Sequence, residues 1–193
     1  QKSSNELHIS PKQTMRLAQT LYENGWITYM RTDCNKYSKE FIKKAEGYIK
    51  DKYGKDYTTS KHLNQHMLNK TKSNDKNTQE AHEAIRPTDI NRCPHNCKEE
   101  GKIGSREIRL YKLIWNNTVE SLMVEAKYNS ISSTITSPDK HLYRNTQEEV
   151  VFPGWKIVRG YEKENSHYIN LYYTLPNVNY DKITSKVSVK NLK

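Results

Sequence analysis

At Lys127 the side-chain pattern of this chain changes period, and that change sets the limits on its fold. Upstream, apolar residues recur at spacings of three and four, as on one face of a helix. Downstream, Ile131 and Ile135 stand among Ser and Thr in the alternation of a strand. The pattern predicts an α+β chain, with a mainly helical domain over 1–126 and a β-rich domain over 127–193. The 193 residues suffice for one ordinary domain or two small ones.

Residues 1–9 are polar and expected to be irregular. Ser10-Pro11-Lys12-Gln13 reads as a helix start, with Ser10 as cap, Pro11 in the first turn and Gln13 at the capping-box place. Met15, Ala18, Leu21 and Tyr22 follow on one face, and Gly25 suits the position just past the end. Trp26 to Met30, aromatic and β-branched, reads as a strand. A second helix is expected from Ser38 to about Tyr53, with Phe41, Ile42, Ala45 and Ile49 inward and Gly54 ending it. Residues 55–76 are hydrophilic and read as a surface loop. Residues 78–86 read as a short helix stopped by Pro87, and 91–104 as irregular. A long helix is expected over 105–125, with Ile108, Tyr111, Ile114, Trp115, Val119 and Leu122 on one face. Strands are expected at 128–136, 141–144, 148–152, 155–161, 167–174 and 183–189, with Pro153-Gly154 as a turn. No internal repeat or low-complexity tract is visible.

A formal net charge of +10 favours a polyanionic partner, with nucleic acid ahead of an acidic membrane, although surface lysines can also serve solubility alone. No stretch approaches the roughly 18 apolar residues of a membrane span, and no signal peptide is visible. Three cysteines, Cys34, Cys93 and Cys97, form an odd set that argues against a disulfide framework and for a reducing compartment. The chain begins at Gln1, and the expectation is a piece of a longer protein.

Two strings hold residues able to do chemistry. In Trp26-Ile27-Thr28-Tyr29-Met30-Arg31-Thr32-Asp33, an extended backbone would put Tyr29, Arg31 and Asp33 on one face. A tyrosine phenol ionises near pH 10 and is a poor nucleophile unaided. A guanidinium beside it favours the phenolate and can hold a phosphate and its transition state. Most of the 14 tyrosines in such a chain are packing or surface residues, so spacing alone assigns little. In Gln79-Glu80-Ala81-His82-Glu83-Ala84-Ile85-Arg86-Pro87-Thr88, a helix would place His82 and Arg86 on one face. His82 can donate to phosphate or relay a proton, and Arg86 can clamp a phosphate. On this string alone the preferred reading is that His82 is structural and Arg86 pairs with Glu83 or a neighbour.

Taken together, four strings resemble the type IA DNA topoisomerase family in order and spacing. They are Ser10-Pro11-Lys12-Gln13-Thr14-Met15, Leu21-Tyr22-Glu23, Ile27-Thr28-Tyr29-Met30-Arg31-Thr32-Asp33 and Ala81-His82-Glu83-Ala84-Ile85-Arg86-Pro87-Thr88. The resemblance continues more loosely through Leu110-Tyr111-Lys112-Leu113-Ile114-Trp115 and Phe152-Pro153-Gly154-Trp155, and fades after about residue 161. It implies that Tyr29 forms a 5′-phosphotyrosyl link to single-stranded DNA, that Arg31 contacts the scissile phosphate, and that His82 assists binding and cleavage. Thr32 and Arg86 are further candidate DNA contacts. It implies a winged-helix-like (CAP-like) domain that carries the tyrosine, followed by part of a β-rich arch. The parent would cut one strand, pass another and reseal the first, relaxing negative supercoils without ATP.

Two departures from the family pattern stand out. Cys34 occupies a place where the family usually has Ser, either as a small replacement or as an oxidisable thiol. The family's acidic Asp-x-Asp-x-Glu cluster for Mg²⁺ has no counterpart in these residues. The resemblance therefore implies Mg²⁺ in the parent on ligands outside this chain, remaining parent domains as partners, and no relaxation by the isolated chain. It also implies a DNA-associated place inside the cell (nucleoid, nucleus or viral factory). The competing reading is a non-catalytic DNA-binding winged-helix-like module in which Tyr29 stacks on a base. A third is an interaction domain with an incidental basic surface. Two weaker signals are Cys93-x-His95-x-Cys97 with His62 and His66, whose spacing lacks the usual zinc pair, and Lys39, Lys43, Lys44, Lys50 and Lys52, which can track a DNA backbone or simply be solvated.

Overall fold

Ser10 opens the helix that orients the first half of the molecule. In this computed structural model, which describes residues 1–58, 83–94, 103–136, 139–161 and 183–185, the Ser10 side chain accepts from the Gln13 amide while Gln13 reaches back to the Ser10 amide. This is a reciprocal capping box. The helix that follows is α2 (Pro11–Glu23), preceded by a short α1 (Lys2–Leu7) that the polar composition of residues 1–9 did not suggest. Helix α1 buries none of its residues. It is tied by polar contacts, Lys2 Nζ to Asn117 Oδ1 and Ser3 Oγ to Thr14 Oγ1. A hydrophobic pattern could not have revealed it.

Helix α3 (Lys39–Tyr53) is capped by the Ser38 hydroxyl and stops at Gly54, whose φ of 110° is open only to a residue without Cβ. Its inward residues are the four expected ones, Phe41, Ile42, Ala45 and Ile49. A 3₁₀ turn, Lys55–Tyr57, follows directly where a surface loop was expected to begin; the rest of that loop lies outside the described residues. Helix α4 (Ser105–Leu122) is buried on a broader surface than the predicted stripe: Leu110, Leu113, Asn116 and Thr118 join Tyr111, Trp115, Val119 and Leu122. These side chains, with Leu21, Trp26 and Ile27, form the core of a first compact unit, Gln1–Val124.

The second unit, Glu125–Lys193, is built on an antiparallel sheet of order β2-β1-β3. Strand β1 (Lys127–Thr136) pairs with β2 (Leu142–Phe152) in a register that sets Ser132 opposite Thr146, and with β3 (Ile183–Ser185) on its other side. The two strands expected at 141–144 and 148–152 are one continuous β2, because the polar residues between them pair with β1 without a break. The strand expected at 155–161 is instead a 3₁₀ helix, Gly154–Arg159. Pro153 enters it with helical dihedrals, and Gly160, at φ 83°, closes it with an amide bond to the Ile157 carbonyl. The fixed φ of proline and the left-handed glycine outweigh the β preference of Ile157 and Val158. The strand expected at 167–174 and the end of the one at 183–189 lie outside the described residues.

Candidate active site

The chain leaves α2 through a Schellman motif. Gly25, at φ 71°, donates to the Tyr22 carbonyl at 2.9 Å, and Trp26 donates to the Leu21 carbonyl at 2.8 Å. This turn aims residues 26–28 along a second segment, 84–88. The Thr28 amide bonds the Arg86 carbonyl at 2.9 Å, and the Thr88 amide bonds the Trp26 carbonyl at 3.0 Å. Between them lies a lone bridge, Ile27 to Pro87. The pairing stops at that single bridge, so the strand expected at Trp26–Met30 does not form. Bends follow at Thr28, Met30 and Arg31.

Side chains take over where the ladder stops. The Thr28 hydroxyl donates to the Ala84 carbonyl at 2.9 Å and accepts from the Arg86 amide at 3.0 Å. The Thr88 hydroxyl donates to the Gly25 carbonyl at 2.7 Å. Eight residues after Thr28, the Lys36 carbonyl accepts the Ala84 amide at 2.8 Å. The loop carrying Tyr29, Arg31 and Asp33 is thus closed at both ends on one buried residue, Ala84.

Within that loop Tyr29 is half-buried and meets Tyr22 of α2 edge-on, with ring centroids 5.3 Å apart. Met30 is buried and lines an apolar cleft of about 260 Å³ with Met15, Ala18, Ile85 and Leu113. Arg31 is exposed, and among the described residues its guanidinium has no hydrogen-bond or ion-pair partner. The Thr32 hydroxyl accepts the Cys34 amide at 3.0 Å, a local turn that spends its acceptor on backbone. The Cys34 thiol is part-buried, 3.8 Å from the Lys36 carbonyl.

Arg86 differs from Arg31 in every respect. Its fork donates to both oxygens of Glu83, at 3.0 and 2.5 Å, and to the Pro87 carbonyl at 2.7 Å. The guanidinium also lies 4.1 Å from the centre of the Phe41 ring. Glu83 in turn accepts the Ser38 amide at the start of α3. The Arg86–Glu83 pairing weighed from sequence is what the structure holds, and it makes Arg86 a brace rather than an open phosphate site. The helix expected over 78–86 is not present at 83–86, which run extended against Thr28 and Lys36; 78–82, with His82, lie outside the described residues. The helical face that was to join His82 and Arg86 therefore does not exist at Arg86.

Segment 84–92 is held from beneath by α4. Trp115 Nε1 donates to the Ile90 carbonyl at 2.9 Å and the Tyr111 hydroxyl to the Arg92 carbonyl at 2.7 Å. Trp26 meets Tyr111 edge-on with ring centroids 5.1 Å apart, and the Arg92 guanidinium lies over the Trp26 ring, 4.3 Å from its centre. Away from this region, burial pushes the Tyr48 and Tyr53 phenols above the ordinary tyrosine range. The lysines of α3 named above are exposed, and Lys50 pairs with Glu46 at 2.6 Å.

Among the described residues no three His, Cys, Asp or Glu side chains gather as a metal would need. Of the weak zinc signal only Cys93 is described; His62, His66, His95 and Cys97 lie outside. Among the described residues no helix is long and apolar enough to cross a membrane.

The sequence matches the profile of the DNA topoisomerase family over residues 1–193. The chain belongs to the DNA topoisomerase family. It is 43% identical over 163 residues to DNA topoisomerase 1 of Buchnera aphidicola from Acyrthosiphon pisum, covering 84% of this chain and 18% of that protein. To DNA topoisomerase 1 of Escherichia coli K12 it is 38% identical over 158 residues, covering 82% and 17%. The full-length topoisomerase I structure from Thermotoga maritima superposes on 98% of this chain and 29% of its own, with a TM-score of 0.69 and 25% identity. The chain thus spans less than a fifth of the curated relatives' length.

For this topoisomerase segment, sequence reasoning missed the contacts of Thr28, the bond from the Ser38 amide to Glu83, and the place of Tyr22. Glu83 and Thr28 were visible inside the two motifs, yet their partners lie 45 and 58 residues away along the chain. Tyr22 was placed on one face of α2 with Met15, Ala18 and Leu21; at 41% exposure it stands beside Tyr29.

Proposed function

We propose that this chain is the tyrosine-bearing segment of a type IA topoisomerase that cleaves and reseals one strand of DNA. The observation that carries the reading is the contrast inside one pinned loop. Tyr29 is steadied by Tyr22 and by the Ala84 closure, while Arg31, two residues on, keeps an exposed guanidinium without a partner among the described residues. A fixed phenol beside an uncommitted planar cation suits attack on a phosphodiester.

In this reading the Tyr29 oxygen attacks phosphorus and loses its proton. The phosphorus–O3′ bond breaks, and the departing O3′ takes up a proton as a free hydroxyl. The 5′-phosphate stays on Tyr29 as an ester. Religation is the reverse displacement, and no ATP is needed because the ester retains the bond energy. Arg31 holds the scissile phosphate, and His82 assists binding and cleavage. Thr32 and Arg86 shape the site through their backbone and carboxylate contacts. The substrate is single-stranded DNA, and the protein would act where DNA is. In the parent, Mg²⁺ would help position phosphate, on ligands other than the described residues. The first unit is read as the winged-helix-like domain, and the second as part of the β-rich arch.

The test uses the complete parent protein with single-stranded DNA and Mg²⁺. Tyr29→Phe is expected to abolish the covalent protein–DNA adduct while DNA affinity stays within about twofold. A persistent adduct would sink the reading, and the non-catalytic stacking role would then be preferred.

A further inference from the structure

We propose that Thr28 is a positioning residue for strand cleavage, acting through its hydroxyl to hold the Tyr29 loop closed on segment 84–86. The inference rests on Tyr29 being the nucleophile. Thr28 immediately precedes Tyr29, so the orientation of its backbone is the first constraint on where the phenol can reach.

Three contacts converge on Thr28 from the opposite segment. Its amide bonds the Arg86 carbonyl at 2.9 Å, its hydroxyl accepts the Arg86 amide at 3.0 Å, and the same hydroxyl donates to the Ala84 carbonyl at 2.9 Å. A hydroxyl can donate once and accept at the same time, and here both capacities are used on backbone groups two residues apart. The two segments meet in the single Ile27–Pro87 bridge, and one residue on, the Arg86 amide takes the Thr28 hydroxyl as its acceptor. The Thr28 side chain therefore supplies the pairing that the backbone lacks at this point.

At the other end of the loop a backbone bond runs from the Ala84 amide to the Lys36 carbonyl at 2.8 Å. At the end that carries the nucleophile, one replaceable hydroxyl makes two of the three contacts, beside the backbone bond from the Thr28 amide to the Arg86 carbonyl. Thr88 provides an internal comparison. Its hydroxyl also bridges the two segments, to the Gly25 carbonyl at 2.7 Å, but upstream of Trp26 and outside the loop. Attack on phosphorus requires near-attack geometry, and misplacement by about 1 Å can cost on the order of 100-fold in rate.

The experiment compares Thr28→Val, Thr28→Ser, Thr88→Val and Tyr29→Phe in the complete parent protein. Single-turnover cleavage of single-stranded DNA and the melting temperature are measured for each. Thr28→Val is expected to slow cleavage at saturating DNA by at least about tenfold while the DNA concentration for half-maximal rate stays within about twofold. Thr28→Ser, which keeps the hydroxyl, is expected to stay within about threefold of wild type. Thr88→Val is expected to lower the melting temperature about as much as Thr28→Val with cleavage within about threefold. Wild-type cleavage by Thr28→Val overturns the inference, as does a loss only in DNA affinity. So does a parallel loss in Thr88→Val, which would make the effect one of general stability. If Thr28→Val does not fold, Thr28→Ser decides, and a tenfold loss there overturns the inference. Loss of the adduct in Tyr29→Phe with normal Thr28→Val removes only the Thr28 role; an adduct in Tyr29→Phe removes the nucleophile itself.

Discussion

Replacing Arg86 and Arg31 by alanine, one at a time, separates two arginines that look alike in sequence. Arg86 donates twice to Glu83 and once to the Pro87 carbonyl and covers the Phe41 ring, with its side chain 12% exposed. Charge-assisted hydrogen bonds contribute about 1.5–3 kcal/mol each where desolvated, and the ring contact about 0.5–2 kcal/mol. Glu83 keeps 30% exposure, so it rehydrates when its partner is gone, and the pair must be discounted toward surface values. The net expectation for Arg86→Ala is a loss of about 2 kcal/mol, on the order of 8 °C for a unit of this size. Arg31→Ala, at an exposed and uncommitted side chain, should stay within about 0.5 kcal/mol of wild type. Urea and thermal denaturation of this chain, followed by circular dichroism, read both. Single-stranded DNA binding across salt reads the other half. Arg31→Ala should lower the slope of log K against log salt by about 0.7, one phosphate contact, and Arg86→Ala should leave it unchanged. An Arg86→Ala chain of normal stability with a reduced salt slope would refute the assignment of Arg86 as a brace.

Tyr48 sits edge-on to Trp115 with a buried hydroxyl that has no hydrogen-bond partner among the described residues; Tyr48→Phe keeps the ring and is expected to stabilise by about 1 kcal/mol, read by urea denaturation at pH 7. Because burial raises the Tyr48 and Tyr53 phenols, the folded state retains protons that the unfolded state releases near pH 10. Their stability contribution is therefore complete below about pH 10 and lost as pH rises beyond it; an alkaline limb unchanged in Tyr48→Phe would refute this for Tyr48. The isolated chain is expected not to relax supercoiled plasmid with Mg²⁺ present, and robust relaxation on an agarose gel would show that the missing acidic cluster is dispensable.

Local chemistry settled much of this protein in advance. Ser10, Pro11 and Gln13 dictate where α2 begins, Gly25 and Gly54 dictate where α2 and α3 end, and the spacing of Phe41, Ile42, Ala45 and Ile49 dictates the buried face of α3. Such signals act through neighbours within a turn or two, so they are legible without knowing the rest of the chain. The two motifs with Tyr29 and Arg86 were legible for the same reason, as strings of residue types.

Tertiary structure decided what the strings do to one another. Pro87 meeting Ile27, Thr28 bridging Ala84 and Arg86, and Glu83 capping the approach to α3 all join residues 45 to 60 positions apart. Propensity favoured a strand at Trp26–Met30 and a helix through Arg86. Cross-segment bonding left a pinned, irregular loop after Ile27 and no helix at 83–86. Sequence named a phenol and two guanidiniums; only the folded chain assigned one guanidinium to bracing and left the other open, because burial and hydrogen-bond saturation belong to the whole chain rather than to any stretch of it.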